Sequence, residues 1–213
     1  SLIVILSGFN GIQKYVEDVY EKFSASIYVY PKTGKLIHPS DSIFFELNKQ
    51  KKIEYYSKVI EETALLKFEN GWVTAKIKGV DSNTYNLKNW SSNLLDGNGK
   101  LFSKNRPKIL LGYGIQNELQ IPYNKDAPNE IKIFSISKTK KITVQNRNSL
   151  NKKNLIFGGS YTITPELDFS SAIIDYSVAN KVFEMNNSAN YIEIFLDDKN
   201  DIFNIKNELA NNN

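Results

Sequence analysis

Three short stretches resemble the three parts of a motif set in which a lysine activates a nucleophilic serine. They are Ser135-Ile136-Ser137-Lys138, Ser40-Asp41-Ser42 and Lys32-Thr33-Gly34. Such chemistry places the serine and the lysine one turn apart on a helix. Ser135–Lys138 lies in a strand pattern, where positions i and i+3 point to opposite faces. The three stretches also occur in reversed order along the chain, so we expect no serine–lysine catalysis.

A pair of glycines suggests a second kind of chemistry, phosphate binding. Gly112-Tyr113-Gly114 follows a predicted strand and precedes a predicted helix, as the start of a dinucleotide-binding turn does. The third glycine position holds Asn117, and no first βαβ unit surrounds the motif. A tight turn from strand to helix is therefore the better interpretation, and we expect no bound cofactor.

Acidic residues cluster in three places, which are Glu61-Glu62, Glu166 with Asp168, and Asp197 with Asp198 and Asp201. The first two carboxylates are adjacent on a predicted strand and point to opposite faces, which defeats a paired acid–base role. The second pair lies in no environment that the sequence marks as perturbing. The third group lacks the alternating ligands and the glycine of a calcium loop, and it is better explained as negative charge at the start of a helix.

The composition excludes further classes of chemistry. The 213 residues include no cysteine and one histidine, His38. A disulfide framework, a thiolate metal site and a cysteine nucleophile are excluded, and a Ser-His-Asp triad or a histidine-rich zinc site would depend on that one residue. His38 precedes Pro39, which indicates a loop. We therefore expect no catalytic residue, no metal site and no enzymatic activity.

The basic residues indicate a solvated surface. Only Arg106 and Arg147 of the 27 basic residues are arginines, and the net charge is +4. Planar arginine forks dominate the recognition of phosphates and base edges. The lysine runs at 49–52, 138–141 and 152–153 contain no interleaved aromatic residues. We expect no nucleic-acid partner.

The two ends of the sequence each predict a helix. Leu2–Leu6 is apolar throughout and passes into an amphipathic helical pattern over residues 9–23. This run could be a buried strand or the first turn of a core helix, but we favour the end of a membrane helix, because an apolar run that passes into an amphipathic helix is typical of a membrane helix that emerges into water. Asn200 predicts the start of a terminal helix with Ile202, Ile205 and Leu209 on one face.

Between the ends, strand patterns dominate. Asn70-Gly71 predicts a hairpin between an extended stretch over residues 55–68, with a break near Glu61-Glu62, and a second strand over residues 73–77. Residues 172–209 predict a compact βαβα series, in which Asp175 or Ser177 begins a helix. Residues 84–160 are rich in strands and loops, and within them we predict a helical turn over residues 90–95 and a strand through Ile142 and Val144. With 41% hydrophobic residues the chain can form a substantial core.

Several short motifs follow one another in a characteristic order along the chain. They are Leu6–Ile12, Ile27–Lys35, Glu61–Leu66, Ala75–Asp81, Ile109–Gly112 with Leu119, Phe157–Tyr161, Glu166–Asp168 and Ala172–Phe183. Their order and spacing resemble the extracytoplasmic domain of permeases of the FtsX/MacB/LolE type, especially members named as lipoprotein-releasing permeases. The resemblance covers almost the whole chain, and its least similar part is the region between Gln120 and Leu155.

The resemblance implies an α+β fold with a discontinuous porter-like subdomain, residues 1–83 and 161–213, and an inserted β-rich subdomain, residues 84–160. It implies a periplasmic domain of an inner-membrane ABC transporter permease that couples ATP hydrolysis by a cytoplasmic ATPase to work outside the membrane, such as lipoprotein release. The implied partners are that ATPase, a second permease subunit, and a periplasmic chaperone or lipoprotein cargo. The resemblance identifies no partner-contact residues.

Three alternatives stay open. One is an FtsX-like regulator of cell-wall hydrolases. Another is a ligand- or glycan-binding surface domain, whose pocket would gather Trp72, Trp90, Tyr85 and Tyr113. The third is a hydrolase, which the motifs above disfavour. The cargo, and whether the permease is a homodimer or a heterodimer, have no signature in the sequence.

Overall fold

The computed structural model describes residues 24–81, 93–103, 106–122, 129–137 and 150–211. Three sequence predictions lie wholly or mostly outside these ranges. They are the apolar run with the amphipathic helix before Ser24, a helical turn over residues 90–95, and a strand through Ile142 and Val144. None of the helices in the described ranges is long and apolar enough to span a membrane.

The described chain contains nine strands and five α-helices. In order they are β1 (Ile27–Val29), α1 (Ile43–Lys49), β2 (Ile53–Phe68), β3 (Gly71–Val80), β4 (Phe102–Ser103), β5 (Arg106–Gly112), α2 (Tyr113–Glu118), β6 (Glu130–Ile136), β7 (Leu150–Tyr161), α3 (Pro165–Ser170), β8 (Ser171–Asp175), α4 (Tyr176–Val182), β9 (Tyr191–Leu196) and α5 (Ile202–Asn211). The fold is α+β, as the sequence predicts.

Six of the strands close into a ring. Their order is β2, β3, β8, β5, β7 and β6, and β6 pairs again with β2 through Leu65–Lys67 and Lys132–Phe134. The pairs β3–β8 and β5–β7 are parallel, and the others in the ring are antiparallel. The first half of β2 leaves the ring and pairs with β9, which also pairs with β1. One strand therefore belongs both to the ring and to the small sheet near the chain ends.

The predicted hairpin is present, although its turn lies one residue earlier. Phe68 pairs with Gly71, so the turn residues are Glu69 and Asn70, and Glu69 adopts a φ of 47°. The predicted break near Glu61-Glu62 is wrong. The strand continues there because β3 begins to pair with it at Ile60, directly after its last pair with β9 at Val59.

The main core fills the ring. Apolar side chains that alternate along the strands point inward and are almost completely buried, among them Leu66, Ile77 and Ile133. Helices α2 and α4 contribute Ile115 and Ala179 to the same cluster. These segments fold as strands because their apolar residues alternate with polar ones, and the period of two in a strand places all the apolar residues on one face.

A second core lies near the two ends of the described chain. It joins Ile27 of β1, Leu47 of α1, Ile194 of β9 and Leu209 of α5. The terminal helix follows one turn of 3₁₀ helix, Lys199–Asp201. Its predicted inward face is confirmed, because Ile205 and Leu209 are buried.

The division into residues 1–83 with 161–213 and residues 84–160 stays a prediction. Strands β5, β6 and β7 of the inserted segment pair with β8 and β2 of the flanking segments. The hydrogen-bonded ring thus contains strands from both parts.

Candidate functional site

The serine motifs have structural roles. Ser135 lies on β6, and its hydroxyl donates to the carbonyl of Val182 at 2.6 Å. The hydroxyl of Ser137 donates to the Glu184 carboxylate at 3.0 Å. Both side chains are buried and fasten the strand to the end of α4. Their strand placement, which the sequence predicts, separates them from the geometry of a helical serine–lysine pair.

The Gly112-Tyr113-Gly114 turn is shaped by packing against α3. A Cβ on Gly112 would lie 2.3 Å from the carbonyl oxygen of Asp168, and a Cβ on Gly114 would lie 2.4 Å from the Phe169 ring. Real Cβ atoms do not approach so closely, so both positions need glycine. The interpretation as a tight strand-to-helix turn is confirmed, because Gly112 ends β5 and the next residue begins α2.

Asp168 and His38 stabilise loops through hydrogen bonds. Buried Asp168 accepts hydrogen bonds from the Thr162 hydroxyl at 2.6 Å and from the backbone N–H of Ile163 at 2.8 Å. His38 Nδ1 lies 3.0 Å from the Ser188 hydroxyl and joins two loops.

The acidic group at residues 197–201 is also structural. Asp201 pairs with Lys52 at 2.6 Å, and Asp198 accepts from the backbone N–H of Asn200 at 2.9 Å. In the part of the chain that the structure describes, no group of three His, Asp or Glu residues could hold a metal ion.

A polar network connects β9 of the small sheet with the neighbouring strands β2 and β3. The Lys78 ammonium of β3 contacts the Glu193 carboxylate of β9 at 2.6 Å. Glu193 is 1% exposed, and its Oε2 atom has no hydrogen-bond partner among the described residues. The hydroxyl of Tyr191 donates to Glu61 at 2.9 Å. Burial raises the pKa of Tyr191 well above its usual range. The network links the strands β2, β3 and β9, and no sequence motif predicted it.

An open groove of about 830 Å³ lies beside the second core. Its walls come from β1, from the loop that leads to α1, and from Lys206 and Leu209 of α5. The rings of Tyr28 and Tyr30 stack at 6.5 Å along it. The groove is lined by residues near both ends of the described chain.

Two members of the predicted aromatic pocket, Trp72 and Tyr113, lie in the described residues, and the pocket stays a prediction. The Trp72 indole packs against Phe134 of β6 at 5.5 Å on the outer face of the ring, and Lys67 lies over it at 4.5 Å. Tyr113 is half exposed at the start of α2, and the other two predicted members, Tyr85 and Trp90, lie outside the described residues. This grouping of aromatic and basic side chains was missed, because its members come from different strands.

This architecture is the MacB-like fold of extracytoplasmic domains of ABC transporter permeases, as the sequence resemblance predicts. The extracellular domain of the noncanonic ABC-type transporter YknZ from Gram-positive bacteria is similar with a TM-score of 0.58 at 9% identity, over 87% of this chain and 89% of that one. The periplasmic region of MacB from Actinobacillus actinomycetemcomitans is similar with a TM-score of 0.53 at 16% identity, over 78% of this chain and 69% of that one.

The likeness is one of fold alone at these identities. No protein-family model matches the chain, and no curated protein matches its sequence.

Proposed function

We propose that this chain is the extracytoplasmic domain of an ABC transporter permease. The observation that carries the proposal is the fold shared with the YknZ and MacB domains. The position of the chain ends supports it, because Ile27 and Leu209 pack in the same apolar cluster. A domain inserted between two membrane segments needs its two ends on one side, where the flanking helices meet it.

The domain would act by transmitting movement. Strand β2 runs without interruption from the small sheet near the chain ends into the ring, about 50 Å at 3.3 Å per residue. The Lys78–Glu193 contact ties β9 to β3 along this route. A displacement of flanking membrane helices, driven by ATP hydrolysis in a cytoplasmic ATPase, would therefore move the ring as one body with the small sheet. In this proposal the domain itself carries out no reaction.

Release of lipoproteins from the inner membrane is the output we propose, on the resemblance carried by Ile27–Lys35 and Ala75–Asp81. The partners would then be a second permease subunit and a periplasmic chaperone that receives the lipoprotein. An FtsX-like regulator of cell-wall hydrolases is the other output of this class.

The experiment is to purify the full-length permease from its native membrane in detergent and to identify the proteins that accompany it by mass spectrometry. A cytoplasmic ABC ATPase at near-stoichiometric yield supports the transporter assignment. Lipoproteins or cell-wall hydrolases in the same sample then separate the two outputs. Recovery of the protein without an ATPase contradicts the proposal and favours a binding module, whose ligand would occupy the groove beside Tyr28 and Tyr30.

A further inference from the structure

A mixed aromatic and basic surface lies on the outside of the ring, across β3, β2, β6 and β7. The cross-strand pairs are Lys67 with Trp72, Leu65 with Phe134, Lys67 with Lys132, and Phe134 with Lys152. Directly paired residues project to the same face of a sheet. We call this surface the basic aromatic face, and it consists of Leu65, Lys67, Trp72, Lys132, Phe134 and Lys152.

The apolar centre of the face is held in place before any partner binds. Trp72 is 47% exposed and Leu65 is 37% exposed, although both occupy strand positions. The Trp72 ring packs on Phe134 at 5.5 Å and lies under the Lys67 ammonium at 4.5 Å. Exposed aromatic side chains fixed by their neighbours are typical of the centres of protein interfaces.

The charge of the face is not neutralised by the described residues. Lys132 and Lys152 are exposed and form no ion pair with any residue in the described ranges. Glu130, which lies two residues before Lys132 on β6, accepts a hydrogen bond from the Asn154 side chain at 3.2 Å. The sequence from Glu130 to Asn154 contains seven basic residues and one acidic residue, a formal charge of +6, against +4 for the whole chain. Along the sequence, the excess positive charge is thus concentrated in the segment that contains Lys132 and Lys152.

We propose that the basic aromatic face docks an acidic surface of a partner protein outside the membrane. The lysines would steer the partner and fix its register, and Trp72 with Leu65 would form the buried centre. This inference rests on the proposed function for its location. It adds the surface and the chemistry of the partner.

The geometry favours a protein over a lipid bilayer. A membrane-inserting surface needs apolar side chains that protrude past the headgroups, whereas Trp72 packs against Phe134 and both Trp72 and Leu65 are half exposed or less. Leu65 also lies nine residues along β2 from Tyr56, which packs in the core at the chain ends. At 3.3 Å per residue this places the face about 30 Å from those ends. The flanking membrane segments would meet the domain there.

The test is site-specific photocrosslinking in the full-length permease in its native membrane. The photoreactive amino acid p-benzoylphenylalanine replaces Trp72, and in a control it replaces Phe203, which is 72% exposed on α5. The crosslinked products are identified by mass spectrometry. The same reaction is then run with K132E/K152E and with K132R/K152R, which keeps both charges. Thermal melting of each variant checks that the fold is retained, which we expect because both lysines are exposed.

The expected result is a crosslink from position 72, and not from position 203, to an identified extracytoplasmic protein with an acidic surface. Its yield should fall about tenfold or more in the glutamate variant and stay within about twofold in the arginine variant, since each lost charge contact weakens binding several-fold. A crosslink to lipid alone, no crosslink, or one that is insensitive to charge reversal overturns the inference.

Failure of this inference and failure of the proposed function are distinguishable. The ATPase that accompanies the permease reports on the function and does not involve position 72. A permease that retains its ATPase but shows no charge-dependent crosslink refutes only the docking surface.

Discussion

Removing Lys78 alone should destabilise the domain far more than removing both members of the Lys78–Glu193 pair. The two atoms lie 2.6 Å apart, and the two side chains differ in burial, with Lys78 at 22% and Glu193 at 1% exposure. In Lys78→Met a buried carboxylate loses its closest cation. In Glu193→Gln the ammonium loses its carboxylate but can still reach water. The two single variants should therefore differ.

The magnitude follows from the cost of a buried charge without a partner. Breaking a buried pair typically costs about 3–5 kcal/mol. We expect about 3–5 kcal/mol for Lys78→Met and, because Lys78 is partly exposed, about 1–3 kcal/mol for Glu193→Gln. The double variant K78M/E193L removes both charges and should lie within about 2 kcal/mol of the natural chain. At this chain length, the cost of Lys78→Met lowers Tm by roughly 6–15 °C.

Urea unfolding of the three variants, followed by circular dichroism at neutral pH, measures these differences as a double-mutant cycle. The coupling between the sites should be about 2–3 kcal/mol or more. Additive costs, or equal costs in the two single variants, would refute the reasoning that the pair acts as a unit and that burial decides the asymmetry.

Three further predictions test packing, capping and pH dependence. Gly112→Ala should cost about 3 kcal/mol of unfolding free energy in urea, since its Cβ would meet backbone at 2.3 Å, whereas Gly71→Ala, which meets a leucine side chain at 3.2 Å, should cost less than about 1 kcal/mol; equal costs would contradict this account of the turn. Asp175→Ala should lower Tm by roughly 2–4 °C, because the carboxylate that caps α4 at 2.8 Å is lost, at about 1 kcal/mol; an unchanged melt would exclude a stabilising cap. The third concerns Tyr191, whose pKa is raised by burial, so the folded state holds the phenolic proton more tightly than the unfolded chain, which titrates near pH 10. That stabilisation is complete below about pH 10 and declines above it by up to about 1.4 kcal/mol per pH unit, so urea melts between about pH 9 and 12 should show a shallower decline for Tyr191→Phe than for the natural chain; parallel declines would contradict the shift.

Local patterns predicted the local structure well. The alternation of Val73, Ala75 and Ile77 predicts a strand with one buried face, and all three side chains are buried. The Asp175 cap and the strand after it also agree, because capping and period-two burial depend on neighbours within a few residues. The resemblance of short ordered motifs added the fold class.

Pairing between distant strands was not predictable in the same way. Nothing in the sequence of β6 marks Leu65 as the neighbour of Phe134, since either face of β6 could in principle meet several strands. The lysine runs, read along the chain, contained no aromatic residue. Across the ring, however, Lys67 and Lys132 lie beside Trp72 and Phe134. A surface formed by side chains from several strands cannot be predicted from residue patterns along the sequence.

The pairing of early with late strands has a consequence for how the domain is made. Strand β1 pairs with β9 through Ile27 and Ile194, and β3 pairs with β8 through Ile77 and Ala172. The first contact spans most of the chain and the second almost half of it, so the early strands remain without their neighbours while the ribosome synthesises the rest. High contact order of this kind slows folding. The domain therefore completes its sheet only after the late strands have been synthesised, and until then the apolar face of β2 and β3 is a natural target for holding chaperones.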